Sequence, residues 1–327
     1  MKSMSESLKL GHALNRALSE VLELDPAVVL LGEDIGRLGG VFRITRGLQD
    51  KFGPNRVQDF VLAESSIIGA AIGLSLCGYR PVCEIQFESF VYPAANQLIT
   101  QAARMQIRIG DGTPLPLVVR IPYGGGFGGI EHHSESNEAI FAHINGLSVV
   151  VCSSALDAGA LLHKAITMDS PVVFFEPKAM YWKPVELPDA GLPDNTEGGR
   201  ILMLGDEVTV VSYGAMLKRC YDAVIGLMPK RSVELIDLRW LRPLDVDTVV
   251  ASVKKTGRLV IVHEASRFGG LGAELAAKIS SLCFGELLAP VVRIGACDNL
   301  YPPSAFEEQH LPSESDIINA IRGVVSE

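Results

Sequence analysis

The stretch RIPYGGGFGGIEHHSES, residues 120–136, sets five glycines beside two histidines and their flanking acids. Several chemistries compete for it. Gly124, Gly126 and Gly129 spell G-x-G-x-x-G after an apolar run, the spelling of a phosphate cradle. Such a cradle needs a helix opening at the last glycine and an acid closing the next strand. Here Gly129 leads into IEHHSES and the next apolar run closes on Cys152-Ser153-Ser154, so nucleotide binding is not expected. Glu131, His132 and His133 could ligate a metal. Neighbouring side chains of an extended segment point to opposite sides, however, and no HxxxH or HxxE spacing accompanies them. What remains is proton transfer by an imidazole carried on a glycine loop, since histidine titrates near neutrality. From this stretch alone, an exposed histidine pair without a role is the simpler reading.

Strands and helices must hold such a loop in place. Apolar runs at 27–34, 80–87, 115–123, 147–154 and 171–177 read as buried strands, with helical patterns at 65–77, 90–109 and 157–168. Apolar residues at 10, 14, 18, 21 and 22 lie on one face of an N-terminal helix. Short apolar strands separated by helices imply a parallel sheet covered on both faces. The proline- and glycine-rich stretch 182–200 has no periodicity and reads as a connector. Beyond it the pattern restarts with strands at 208–214, 232–241, 258–265 and 289–295 and helices from 215 and at 271–282. A second, smaller α/β domain follows from that restart.

The bulk numbers exclude several classes. A chain of 327 residues is long enough for two domains, each with its own core. Its 48% hydrophobic content is high beside 20% charged residues, which points to apolar surface buried against other subunits, a large core being the alternative. A net charge of −9 with no Lys/Arg cluster argues against a nucleic-acid surface. Six cysteines without a CxxC pair indicate neither a zinc site nor a disulfide framework, and a cytoplasmic location is expected. The start lacks the pattern of a signal or transit peptide, and the apolar stretch SSIIGAAIGLSLCG is too short to span a membrane.

Further segments carry a resemblance. LLGEDIGRLGGVFRITRGLQDKFG, LAESSIIGAAIGLSLCGYRPVCEIQF, EHHSESNEAIFAHINGL, PVVFFEPKAMY, VELIDLRWLRPLD and KTGRLVIVHEA occur in order between about residues 8 and 325. Together they resemble the β subunits of thiamine-diphosphate-dependent 2-oxo acid dehydrogenases, the decarboxylating first component of the pyruvate and branched-chain complexes. The resemblance implies a transketolase-like α/β fold: a parallel-sheet pyrimidine-binding domain over residues 1–183, a linker at 184–200 and a smaller C-terminal α/β domain over 201–327. It also implies an α2β2 heterotetramer in which each thiamine diphosphate lies between an α and a β chain, the α subunit supplying the diphosphate and Mg²⁺ motif. The GDG at 110–112, followed at a distance by Asn137, imitates that motif. The helical stretch before it and TPLP after it make it a turn. Metal ligands of this chain stay unassigned.

Residue by residue, the resemblance places Glu64 of LAES against N1′ of the cofactor's aminopyrimidine, where a carboxyl favours the 4′-imino tautomer that takes the C2 proton. On local chemistry alone, Glu64 is an acid favouring the start of a helix. Phe90 falls where the family stacks an aromatic on the pyrimidine, with Leu62 and Gln86 at neighbouring pocket positions. His133 matches the channel histidine placed to help reductive acylation of the lipoyl group. Gly69 and Gly73 stand one turn apart on a helix that in the family packs at a subunit interface. Two segments depart from the family pattern: Asp59-Phe60-Val61 replaces D-T-P, and Asp298-Asn299-Leu300-Tyr301-Pro302 replaces D-T-P or D-T-V before an aromatic and Pro.

The function implied is decarboxylation of a 2-oxo acid and transfer of its acyl group to the lipoyl domain of a transacylase core. The E-P-K-x-x-Y spelling at 176–181 tilts the acid towards branched-chain substrates, with pyruvate next. The alternatives are an acetoin or specialised biosynthetic acyl-donor enzyme, which the Asp59-Phe60-Val61 departure permits, and a non-catalytic scaffold subunit. Retention of Glu64 and His133 speaks against the scaffold.

Overall fold

The computed structural model describes residues 9–110, 112–185, 187–188 and 196–326. Twelve strands occur among them: β1 (Val28–Gly32), β2 (Val57–Asp59), β3 (Arg80–Glu84), β4 (Leu117–Tyr123), β5 (Ser148–Val151) and β6 (Pro171–Pro177), then β7 (Arg200–Met203), β8 (Val208–Ser212), β9 (Val233–Asp237), β10 (Trp240–Arg242), β11 (Leu259–Ser266) and β12 (Val292–Ala296). They form a seven-stranded sheet in the order β10-β5-β6-β4-β3-β1-β2 and a five-stranded sheet in the order β12-β11-β8-β9-β7. All pairs are parallel except β10 with β5 and β7 with β9. The central strands β1, β4, β5 and β6 hide nearly every residue, as strands covered on both faces must.

One side of the first sheet is covered by the helices Leu10–Leu24 and Ala155–Thr167, whose apolar faces share a core with Val28, Leu30 and Val118. The helix Glu64–Leu76 packs on the opposite side with Val29, Leu31 and Val119. That second core runs on into the C-terminal half, through Val211, Tyr213 and Ile261. A third, formed by Leu217, Val224, Val260 and Ile321, belongs to the C-terminal half alone.

Two sequence expectations are corrected. The run 232–241 is not one strand: it breaks at Leu238-Arg239, where Arg239 takes a left-handed φ of 54°, and Trp240–Arg242 turns back to join the first sheet antiparallel to β5. A piece of the C-terminal half therefore completes the N-terminal sheet. The pattern at 90–109 is not one helix either. It is a 3₁₀ turn Glu88–Ala94, a π turn Gln97–Ala102 and an α-helix Ala103–Ile109. Pro93 lies inside the first turn and supplies no amide, which prevents a continuous ladder. The strand β2 and the helices Val246–Thr256 and Glu314–Ser326 were not anticipated.

Candidate active site

Parallel strands end together, and the residues just beyond their carboxyl ends share one edge of the sheet. Glu33 follows β1, Leu62 and Glu64 follow β2, Gln86 and Phe87 follow β3, the glycine run follows β4, and Lys178 follows β6. The chain leaves β1 for β2 on one side and returns to β3 on the other, so a topological switch point lies at β1. In open α/β sheets such a crevice is the preferred ligand position.

Glu64 is the first residue of the Glu64–Leu76 helix and is 9% exposed. Its carboxyl has no hydrogen-bond partner among the described residues. Glu33 is buried too, and its Oε1 is unpartnered among them. Burial, and then the charges of Glu64 and Asp34, push the Glu33 carboxyl up to about 7. Two buried acids without a donor mark a place where a ligand bearing N–H groups would be bound strongly.

His133 and Phe90 come together. His133 lies on a 3₁₀ turn, Glu131–His133, with its ring centroid 4.0 Å from Phe87 and 5.5 Å from Phe90. The His132 ring is tilted against its neighbours, 4.4 Å from His133 and 6.2 Å from Phe90. The extended geometry expected for this pair is thus corrected: about three residues per turn rotate successive side chains by roughly 120°, not 180°. Among the described residues, no three His, Cys, Asp or Glu side chains gather in a way that could hold a metal ion. Burial lowers the His133 titration below the ordinary imidazole range, and the charges of His132 and Lys178 add to it.

The turn is tied down through Glu135, whose carboxylate accepts from Ser89 Oγ at 2.8 Å and Tyr92 O–H at 3.1 Å and whose carbonyl accepts from Gly124 N at 2.9 Å. Behind Phe87, Lys178 donates to the buried Glu88 and holds its ammonium 5.6 Å from the Phe87 ring. Burial raises the Glu88 carboxyl to about 7, against the pull of Lys178.

The helix carrying Glu64 packs against the turn carrying Phe90. Leu62 is 82% exposed and Gln86 half-buried, and among the described residues neither is hydrogen-bonded to Glu64 or His133. The segment before Glu64 divides its work: Asp59 accepts from Gly36 N at 2.6 Å, Phe60 packs on the core, and Val61 and Leu62 form an exposed apolar rim. Sequence reading missed Glu33, Phe87, Glu88 and Lys178 as site neighbours. Their positions at strand ends were the available signal.

The glycine run proves to be an anion cradle after all. Gly124, Gly126 and Gly128 take left-handed φ values of 79°, 76° and 81°, which turn successive amides to one side. The anions come from the chain's own C-terminal half: Gly125 N donates to Glu264, and Gly126 N and Gly128 N donate to the two oxygens of Glu307 at 2.9 and 3.2 Å. The GDG turn stands apart: Gly110 ends the Ala103–Ile109 helix and Gly112 leads towards β4, while Asp111 lies outside the described residues.

This carboxyl-edge site on a doubly covered parallel sheet, closed by a second α/β sheet, is that of a transketolase-like chain. Residues 6–183 match the transketolase pyrimidine-binding domain and residues 198–317 the transketolase C-terminal domain. A solved chain described as a split-gene transketolase, an inactive β4 tetramer, superposes with a TM-score of 0.78 at 22% identity, covering 98% of both chains. Among curated relatives, the pyruvate dehydrogenase E1 component subunit beta of Leifsonia xyli subsp. xyli is 44% identical, over 97% of this chain and 94% of its own. The 3-methyl-2-oxobutanoate dehydrogenase subunit beta of Mycobacterium tuberculosis is 41% identical over 99% and 94%. The 2-oxoisovalerate dehydrogenase subunit beta of Pseudomonas aeruginosa is 42% identical over 98% and 95%. The chain belongs to the β subunits of the 2-oxo acid dehydrogenases, a family that works with thiamine diphosphate.

Proposed function

We propose that this chain is the β subunit of a 2-oxo acid dehydrogenase that supplies the aminopyrimidine half of a thiamine-diphosphate site shared with an α subunit in an α2β2 assembly. The observation that carries this reading is Glu64: a residue only 9% exposed whose carboxyl accepts no hydrogen bond among the described residues, beside Glu33 with its buried, unpartnered Oε1, at the carboxyl edge of a parallel sheet. An aminopyrimidine fits that gap because it brings a ring nitrogen, an amino group and an apolar face. The α subunit holds the diphosphate and Mg²⁺.

Bound thiamine diphosphate supplies the electron sink for decarboxylation. Glu64 holds a proton at N1′ and exchanges it. Phe90 stacks against the ring, Leu62 and Gln86 border it, and the exposed Val61–Leu62 rim is covered by the partner, excluding water. His133 sits towards the channel and gives a proton to the dithiolane of an incoming lipoyl domain as its ring opens, so that the acyl group passes to a transacylase core.

Branched-chain acids are the favoured substrates, with pyruvate next. Glu176, Lys178 and Tyr181, the residues behind that preference, face buried partners: Glu176 accepts from Arg120 at 2.7 Å and from Tyr181 at 2.6 Å. Of the three, Lys178 reaches the wall behind Phe87, with its ammonium 5.6 Å from that ring. Nothing in the site favours the acetoin or scaffold alternatives.

The test is Glu64→Gln in the assembled enzyme. The amide keeps the size but cannot exchange the N1′ proton, so decarboxylation should fall by about 10²–10⁴-fold with assembly intact. Near-normal turnover of the assembled variant would show that another acid serves N1′.

A further inference from the structure

We propose that Glu307, supported by Tyr301, is a positioning residue for acyl transfer: a latch from the C-terminal half that seats in the amide cradle of residues 124–128 and thereby fixes the loop carrying His133. The inference rests on the role given to His133 above, and it assigns that role a dependence on a residue far away in the sequence.

At the middle of the loop between β4 and the Glu131–His133 turn, the Phe127 ring lies 5.2 Å from the Lys178 ammonium and 6.5 Å from the Phe42 ring, and the backbone depends on its amides. Gly124 is pinned by Glu135, but Phe127 and Ile130 are 37% and 51% exposed. Glycines at positive φ have the most conformational freedom to lose. Three closely spaced anchors offset that loss, and all are carboxylate contacts: Gly125 to Glu264, and Gly126 and Gly128 to Glu307. Hydrogen bonds to an ionised acceptor are about twice as strong as neutral ones.

Glu307 needs the loop as much as the loop needs it. It is only 6% exposed, and among the described residues no Lys, Arg or His pairs with it. Its donors are the two loop amides and the Tyr301 hydroxyl at 2.5 Å. Withdrawing the loop would leave a buried carboxylate short of two donors, a costly state. Tyr301 reinforces the fit sterically, since a Cβ on Gly125 would stand 1.7 Å from its hydroxyl. Tyr301 belongs to the segment that departs from the family spelling near the C-terminus. That segment is itself anchored, by Asp298 accepting from Ser266 and from Phe268 N at 3.0 Å.

The experiment uses the enzyme assembled with its α subunit, as Glu307→Ala and as the near-isosteric Glu307→Gln and Tyr301→Phe. Hydrogen exchange across residues 120–136 is read beside two assays, reductive acylation of a lipoyl domain and decarboxylation with an artificial electron acceptor. Loss of charged-acceptor bonds of this kind should raise exchange in that segment about tenfold or more in Glu307→Ala, with Glu307→Gln and Tyr301→Phe following in decreasing order. Exchange over 208–262 should not change. The kcat/KM for the lipoyl domain should drop about tenfold while the artificial-acceptor rate stays within about twofold. Unchanged exchange in both Glu307 variants overturns the latch, and faster exchange with equal losses in the two assays overturns its specific link to acyl transfer. If the parent complex acylates no lipoyl domain at all, the reading of His133 falls, while the exchange data still decide the latch.

Discussion

An imidazole half-buried between phenyl rings is mostly neutral at neutral pH, and His133 is in that position: burial, His132 and Lys178 all disfavour its charged form. A proton donor of this kind works through a small protonated fraction. The acyl-transfer rate should therefore rise as pH falls from neutrality towards the lowered titration point, and decline above it. His133→Ala should cut reductive acylation by about 10²–10⁴-fold while sparing decarboxylation with an artificial acceptor, which bypasses the dithiolane. Equal loss in both assays would move His133 to decarboxylation or substrate binding, and no loss would leave it a histidine packed on Phe87 and Phe90 without a chemical role. At this scale the sequence was partly legible. Glu64, Phe90 and His133 were proposed through family-like spelling, and the second and third prove to be neighbours. Glu33, Phe87 and Lys178 were not found, because each acquires its place only when non-adjacent strands align their carboxyl ends.

The Glu64–Leu76 helix shows how an element can be half explained by its own chain. Ile67, Ile68, Ala71 and Ile72 bury one face in the core. Gly69 and Gly73 lie on the exposed face, and a Cβ on either would meet nothing within 4 Å. Among the described residues nothing approaches these glycines closely, and in the proposed assembly this face meets another subunit. Gly69→Leu with Gly73→Leu should keep the isolated chain folded, and even steady the helix by about 1 kcal/mol per glycine replaced. Assembly with the α subunit should weaken, as read by sedimentation or mass photometry. Full assembly at ordinary protein concentrations would contradict that reading. Periodicity located this helix and most strands, because apolar runs of four to eight residues bounded by turn signals admit few other readings. It failed at 90–109 and at 232–241. Apolar spacing does not register a proline that removes one amide, nor a single arginine in the left-handed region.

On the scale of the whole molecule, the two halves are sewn together. Trp240–Arg242 extends the first sheet, Ser153 Oγ donates to Asp237 at 2.8 Å and accepts from Gly214 N at 2.8 Å, and Tyr213 O–H donates to Glu138 at 2.8 Å. Contacts this distant in sequence leave no local trace, so the pattern reading found the two domains but not the strand and hydrogen bonds that join them. The rigid frame presents one edge with buried acids and an apolar rim, which is half of a cofactor site. In the proposed assembly the other half comes from a partner. The most direct test supplies the purified chain with thiamine diphosphate, Mg²⁺, an artificial electron acceptor and either a branched-chain 2-oxo acid or pyruvate, with and without the α subunit. The account predicts turnover only when the α subunit is present. Turnover by this chain alone would contradict it.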